Sequence, residues 1–199
     1  VETARRRYLD IVFRMAEPWG SQWLDLKVLE NARTIARSDA DRARAHYYLA
    51  TGLQNQTWHP RNVERIVNEF AAAVSFGKAS PFYDDALYHS AHWLRNNGRV
   101  VFTPDGSWHT EPDYKSALEQ FRTLVAEFDK SESRYYDDAK RAIDSIVGPV
   151  VGVSVSNTFL PDSLISFQTN WRNVDEVDFT LHAVDLGRDI KMEGRRGPH

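Results

Sequence analysis

The chain has 199 residues, 42% of them apolar, 12% aromatic and 27% charged, which is the balance of a folded chain and unlike that of a disordered one. Lys plus Arg number 25 against 28 Asp plus Glu, and the net charge of -3 provides no electrostatic footprint for a nucleic-acid backbone or an anionic membrane. The absence of cysteine excludes disulfides, thiolate metal sites, Cys nucleophiles and thioester chemistry.

From the N-terminus, apolar residues recur at helical spacing. Residues 4–16 and 21–37 form a weakly patterned first pair of predicted helices. A clearer pair follows, with Ala45, Leu49, Ala50 and Leu53 striping 41–54, and Val63, Ile66, Val67, Phe70, Ala73 and Val74 striping 62–76. The third pair is 82–97, carrying Ala86, Leu87, Ser90, Ala91 and Leu94, and 112–128, carrying Tyr114, Ala117, Leu118, Phe121, Leu124, Val125 and Phe128. Pro112 is expected in the first turn of that last helix, where its missing N–H costs nothing. One further helix, 132–147, ends the series. Asn97 to Pro112, rich in Gly, Pro, Asp and Asn, reads as a loop insertion. No stretch approaches the roughly 20 apolar residues of a membrane span, so no membrane insertion is expected. The start at Val1 suggests a processed or cut chain.

The helices divide by residue size. Ala50 and Ala91 allow close helix approach, while Phe70 and Phe121 fill the space opposite, as in helix hairpins stacked into a solenoid. Tyr83-Asp84-Asp85-Ala86 returns as Tyr136-Asp137-Asp138-Ala139, an offset of 136 − 83 = 53 residues. That echo supports repetition, although Asp at two helix starts would also arise as backbone capping. The Ala, Ala and aromatic positions in Ala45 to Phe76 and Ala86 to Phe128 resemble tetratricopeptide repeats. The resemblance implies a mainly α fold, a stacked helix-hairpin solenoid over 1–148 that binds protein or peptide.

After Gly148-Pro149 the apolar period changes to two. Val151, Val153 and Val155 mark one predicted strand, Ile165, Phe167 and Trp171 a second, and Val177, Phe179, Leu181 and Ala183 a third, with turns at Pro161-Asp162 and Asn173 to Asp175. Phe159 to Ser163, Asn170 to Val174 and Val177 to Leu186 resemble the first strands of a macroglobulin-type β-sandwich in bacterial alpha-2-macroglobulin-like proteins. The resemblance covers about half a sandwich, so 149–199 is expected to be a small antiparallel β segment. It implies a larger periplasmic or cell-envelope parent protein, whose protease trapping is not carried by this chain. Three strands leave an open edge and an apolar face around Phe167, Trp171 and Phe179. Packing on the last helices, or a homodimer through the β segment, is expected to cover them.

There is no Gly-rich phosphate loop, Ser nucleophile elbow or His-Glu-x-x-His motif, so no enzyme activity and no cofactor is expected. His89 and His92 lie three apart on one predicted helix, close to Asp84 and Asp85, and offer an alternative reading as a metal-binding protein or metal-dependent hydrolase. The first helices of stacked hairpins line the concave groove. His46, Tyr47, Tyr48, Tyr88, His89 and His92 are therefore the candidate partner-binding residues, with inter-repeat packing as the alternative role. A further reading makes the helices a purely structural spacer. Trp58-His59-Pro60 and Trp108-His109 read as loop anchors.

Overall fold

The computed structural model describes residues 1–155, 164–180 and 182. They form a mainly α-helical architecture followed by a small antiparallel β segment. In chain order the elements are α1 (Glu2–Trp19), α2 (Leu26–Ile35), α3 (Asp39–Leu53), α4 (Pro60–Val74), α5 (Tyr83–Asn96), β1 (Arg99–Phe102), β2 (Trp108–Glu111), α6 (Tyr114–Glu127), α7 (Tyr136–Val147), β3 (Val150–Ser154) and β4 (Gln168–Arg172). The chain separates into two compact units, Val1–Val147 and Gly148–His199.

Local chemistry marks the helix starts of the first unit. Asp25 accepts from the Lys27 N–H at 2.8 Å and Ser38 from the Asp41 N–H at 3.2 Å. His59 takes the same role before α4, its ring accepting from the Arg61 N–H at 3.1 Å with Pro60 at the first helical position. Each satisfies a backbone donor that the helix cannot. Helix α6 opens on Asp113, which accepts from the Ser116 N–H at 3.0 Å, so Pro112 precedes the helix and does not sit in its first turn.

Helix α3 packs on α4 and α5 on α6, the two pairs join through α4 and α5, and α7 closes the series on α6. The expected division by size holds: Ala50, Phe70, Ala91 and Phe121 are all fully buried. Two apolar clusters result. One joins α1 to α4 around Leu49, Leu53, Ile66 and Phe70, and the other joins α5, α6 and α7 around Leu94, Phe121 and Leu124. Of the described helices, α7 ends the unit with Asp137, Lys140, Arg141 and Asp144 along its length, a polar face suited to a terminal helix.

The expected loop insertion is instead a hairpin. Strands β1 and β2 pair antiparallel from Arg99 opposite Glu111 to Phe102 opposite Trp108. Turn chemistry between them, with Asp105 accepting from the Ser107 N–H at 3.1 Å, dominates the composition and hides the four-residue strands. Val100 and Trp108 pack onto the first apolar cluster, which holds the hairpin to the helices. Gly98 makes the junction: its φ of 75° and the closeness of the Glu111 carbonyl leave no room for a side chain.

In the second unit β3 and β4 pair antiparallel, from Val150 opposite Arg172 to Ser154 opposite Gln168. The second strand is shorter than its alternation suggests, and 176–180 form no strand, although Val177 and Phe179 have the spacing for one. Phe179 meets the Phe167 ring instead, with centroids 5.6 Å apart. The expected turn at Pro161-Asp162, and Leu181 and Ala183 to Leu186, lie outside the described residues.

Candidate functional site

Helix α3 places Tyr47 and Tyr48 side by side, and the turn before α5 places Phe82 against both, with each ring-to-ring distance 5.8 Å. The next turn repeats the arrangement: Tyr135, one residue before α7, stacks on Tyr88 at 4.2 Å and meets the edge of His89 at 5.5 Å. The two turns share a backbone device. A buried serine accepts from the aromatic residue's N–H two positions on, Ser80 from Phe82 and Ser133 from Tyr135, both at 3.3 Å. Each aromatic is thus inserted against the first helix of the preceding pair.

A cleft of about 490 Å³ opens between the end of α1, α3 and the start of α5. Its floor is Tyr47, Tyr48 and Phe82, its walls carry Glu17, Asp85 and His89, and Gln22, Gln54 and Arg134 also line it. Gly20, at φ 72°, turns the chain back along one side. The volume is within the range of ligand and peptide pockets.

Its polar groups are ordered by a network at the α5 end. Asp85 Oδ1 accepts from Arg134 Nη2 at 2.8 Å and from the Tyr135 hydroxyl at 2.7 Å. Because that hydroxyl gives its one proton to Asp85, His89 Nε2, 3.2 Å away, must donate to it. Burial lowers the His89 pKa, with Asp85 opposing the shift, and holds the ring neutral with its proton on Nε2. Tyr135 is pushed well above the usual phenol range, first by burial and then by its bond to Asp85. At the other wall Glu17 Oε1 pairs with Arg44, whose guanidinium lies 4.7 Å from the Phe13 ring and 4.9 Å from the Phe82 ring.

The six candidate residues divide between cleft and packing. Tyr47, Tyr48 and His89 line the cleft. Tyr88 and His92 lie on the adjoining stripe of α5, in a shallower depression with Arg95 and Arg141. His46 is drawn into the joint between α3 and α4, where its Nδ1 hydrogen-bonds to the buried Glu69 carboxylate at 2.6 Å, and Arg33 donates to the same carboxylate at 2.5 Å. His89 and His92 do not converge: His89 faces Tyr135, while His92 Nδ1 lies 2.9 Å from the Asn96 amide. Among the described residues no group of three His, Asp or Glu could hold a metal ion.

The acidic pairs differ from the capping reading. Helix α5 follows Phe82 with no side-chain cap; Asp84 accepts from the Ser133 hydroxyl at 2.8 Å, Asp85 serves Arg134 and Tyr135, and Asp137 pairs with Lys130 at 2.5 Å. In these contacts the carboxylates tie turns to helices. Trp58 is 76% exposed, with its ring edge-on to His59 at 5.9 Å, whereas Trp108 packs on the core. Sequence reasoning did not single out Glu17, Phe82, Arg134 or Tyr135. The signal for the last three was the extension of the echo to Ser80-Pro81-Phe82 and Ser133-Arg134-Tyr135.

Comparison with protein-family models, with curated proteins and with solved structures returns no match.

Proposed function

We propose that the helical unit is a non-catalytic protein-interaction module that holds an extended segment of a partner protein in the cleft between α1, α3 and α5. The observation carrying this reading is a cleft of about 490 Å³ with an aromatic floor and polar walls, built on the first helices of packed pairs. Rings on rigid helices give contact area at little entropic cost, and polar walls fix register. In keeping with its resemblance to tetratricopeptide repeats and to the opening strands of alpha-2-macroglobulin-like proteins, the module is a scaffold segment of a larger bacterial envelope protein. The β unit adds a second contact surface, a homodimer face, supported by Val151, Val153, Phe167 and Trp171, each about half exposed.

A random-peptide display selection against the full chain tests the groove. Gln22→Trp and Gln54→Trp narrow the cleft from its lining positions without touching the core. Selected peptides should lose binding to the doubly substituted chain while its helical circular dichroism is unchanged. No enrichment, or enrichment indifferent to these substitutions, would overturn the reading.

A further inference from the structure

Two polar groups that line the cleft have oxygens with no hydrogen-bond partner among the described residues. Tyr47 is 9% exposed and lines the cleft, yet no hydrogen bond reaches its hydroxyl. Asp85, with 17% of its side chain exposed, engages Arg134 and Tyr135 through Oδ1 alone and leaves Oδ2 unengaged. Both oxygens open onto the cleft, so each is free to meet a polar group brought into it. On the opposite wall Glu17 likewise uses only Oε1, on Arg44. Burial lifts the Tyr47 phenol above its usual range and the Asp85 charge, on the same cleft, raises it further.

The unengaged atoms agree in chemistry. Asp85 Oδ2 and Glu17 Oε2 accept only, the Tyr47 oxygen can accept, and neutral His89 keeps an acceptor at Nδ1 once Nε2–H serves Tyr135. Around them stand the rings of Tyr47, Tyr48 and Phe82, which favour a cation at their faces. The nearby cations leave these oxygens free: Arg44 pairs with Glu17 Oε1 through Nη2 and lies over the rings behind, with its buried Nε unpartnered among the described residues, and Arg134, 74% exposed, reaches Asp85 through Oδ1.

Resting on the interaction reading above, we infer that the cleft receives a lysine or arginine side chain of an extended partner segment, its cationic end held by Asp85, Glu17 and the Tyr47 oxygen. The partner is a basic peptide segment. Its cationic donors meet carboxylate acceptors in charge-assisted bonds, and its aliphatic stem covers the aromatic floor.

The test uses fluorescein-labelled decapeptides of one Ser, Gly and Leu sequence whose central residue is Arg, Lys, norleucine or Glu, titrated against the full chain by anisotropy. Amide shifts of Tyr47, Asp85 and His89 in nitrogen-15 spectra locate the binding. Arg and Lys peptides should bind at least about tenfold more tightly than norleucine and Glu peptides, and 0.5 M salt should erase most of that difference. Glu17→Gln and Tyr47→Phe, which leave the Asp85 network whole, should each weaken the Arg peptide about three- to tenfold; Asp85→Asn should weaken it more. Equal binding of Arg and norleucine peptides, or preference for Glu, overturns the cation inference and leaves the groove reading standing. Binding of no peptide by a chain with native spectra overturns both.

Discussion

Replacing Tyr135 with Phe isolates the hydroxyl that joins Asp85, Arg134 and His89. The ring keeps its stack on Tyr88, 4.2 Å away, so no cavity forms. What disappears is a 2.7 Å bond to a mostly buried carboxylate, a bond from Arg134 and a 3.2 Å bond from His89. Hydrogen bonds to charged groups contribute about 1.5–3 kcal/mol and neutral ones about 1 kcal/mol. Arg134 still serves Asp85 and the cleft admits water to His89, so the lower ends apply, giving about 2 kcal/mol. Tyr135→Ala adds the loss of the ring, about 2–3 kcal/mol more. Urea unfolding of the full chain, followed at 222 nm to report the helices, should move the midpoint of Tyr135→Phe down by roughly 1 M for a slope of about 2 kcal/mol/M. In a double-mutant cycle, Asp85→Asn should couple to Tyr135→Phe by about 1 kcal/mol or more. A Phe variant within about 0.5 kcal/mol of the parent, or no coupling, would refute the claim that this hydroxyl orders the network at the α5 end.

His89 is held neutral by burial, so its folded pKa lies below the ordinary value. Well above a pH of about 6.5 both folded and unfolded forms are neutral and the group contributes nothing to pH dependence; as pH falls through the unfolded value towards the folded pKa, the unfolded state takes up the proton first and stability declines. His89→Gln should flatten this part of the stability profile between pH 7 and 5, measured against the parent to remove the carboxylate background, and an unchanged slope would sink the assignment. Gly98→Ala should cost more than about 2 kcal/mol, since it adds left-handed backbone strain to a clash with the Glu111 carbonyl; a Tm within a degree of the parent would contradict that geometry. Sedimentation velocity should show concentration-dependent self-association that Val153→Lys and Trp171→Lys abolish, and a strictly monomeric parent at 100 µM would exclude the homodimer face.

How far the sequence could be read follows from what each residue reports. Helical stripes report burial on one face, and the striped positions Leu49, Ile66, Phe70, Phe121 and Leu124 are the centres of the two cores. Short strands report little, because four residues hold one turn of alternation; β1 and β2 were hidden by the Pro-Asp-Gly turn between them. Of the candidate site residues, Tyr47, Tyr48 and His89 could be placed on a first-helix face from spacing alone. His46 lies on a neighbouring position of the same helix, and only the buried Glu69, 23 residues on, decides that it turns into the α3–α4 joint. Glu17 and Arg134 were invisible because a charged residue near a helix end is usually a solvated one, and its role here depends on a wall formed by distant segments.

The echo around Tyr-Asp-Asp-Ala places one device at two junctions with different polar outcomes. Both turns insert an aromatic ring against the preceding first helix, held by the same serine device. At the second junction the ring is Tyr135, whose hydroxyl donates to Asp85 and accepts from His89. At the first it is Phe82, which has no hydroxyl to give, and the neighbouring Tyr47, which lines the cleft, has no hydrogen-bond partner for its hydroxyl among the described residues. Asp85 stands in both: its Oδ1 closes the second joint and its Oδ2 remains for the first. One oxygen atom of difference between equivalent turn residues thus decides whether the turn joins the Asp85 network or only packs its ring.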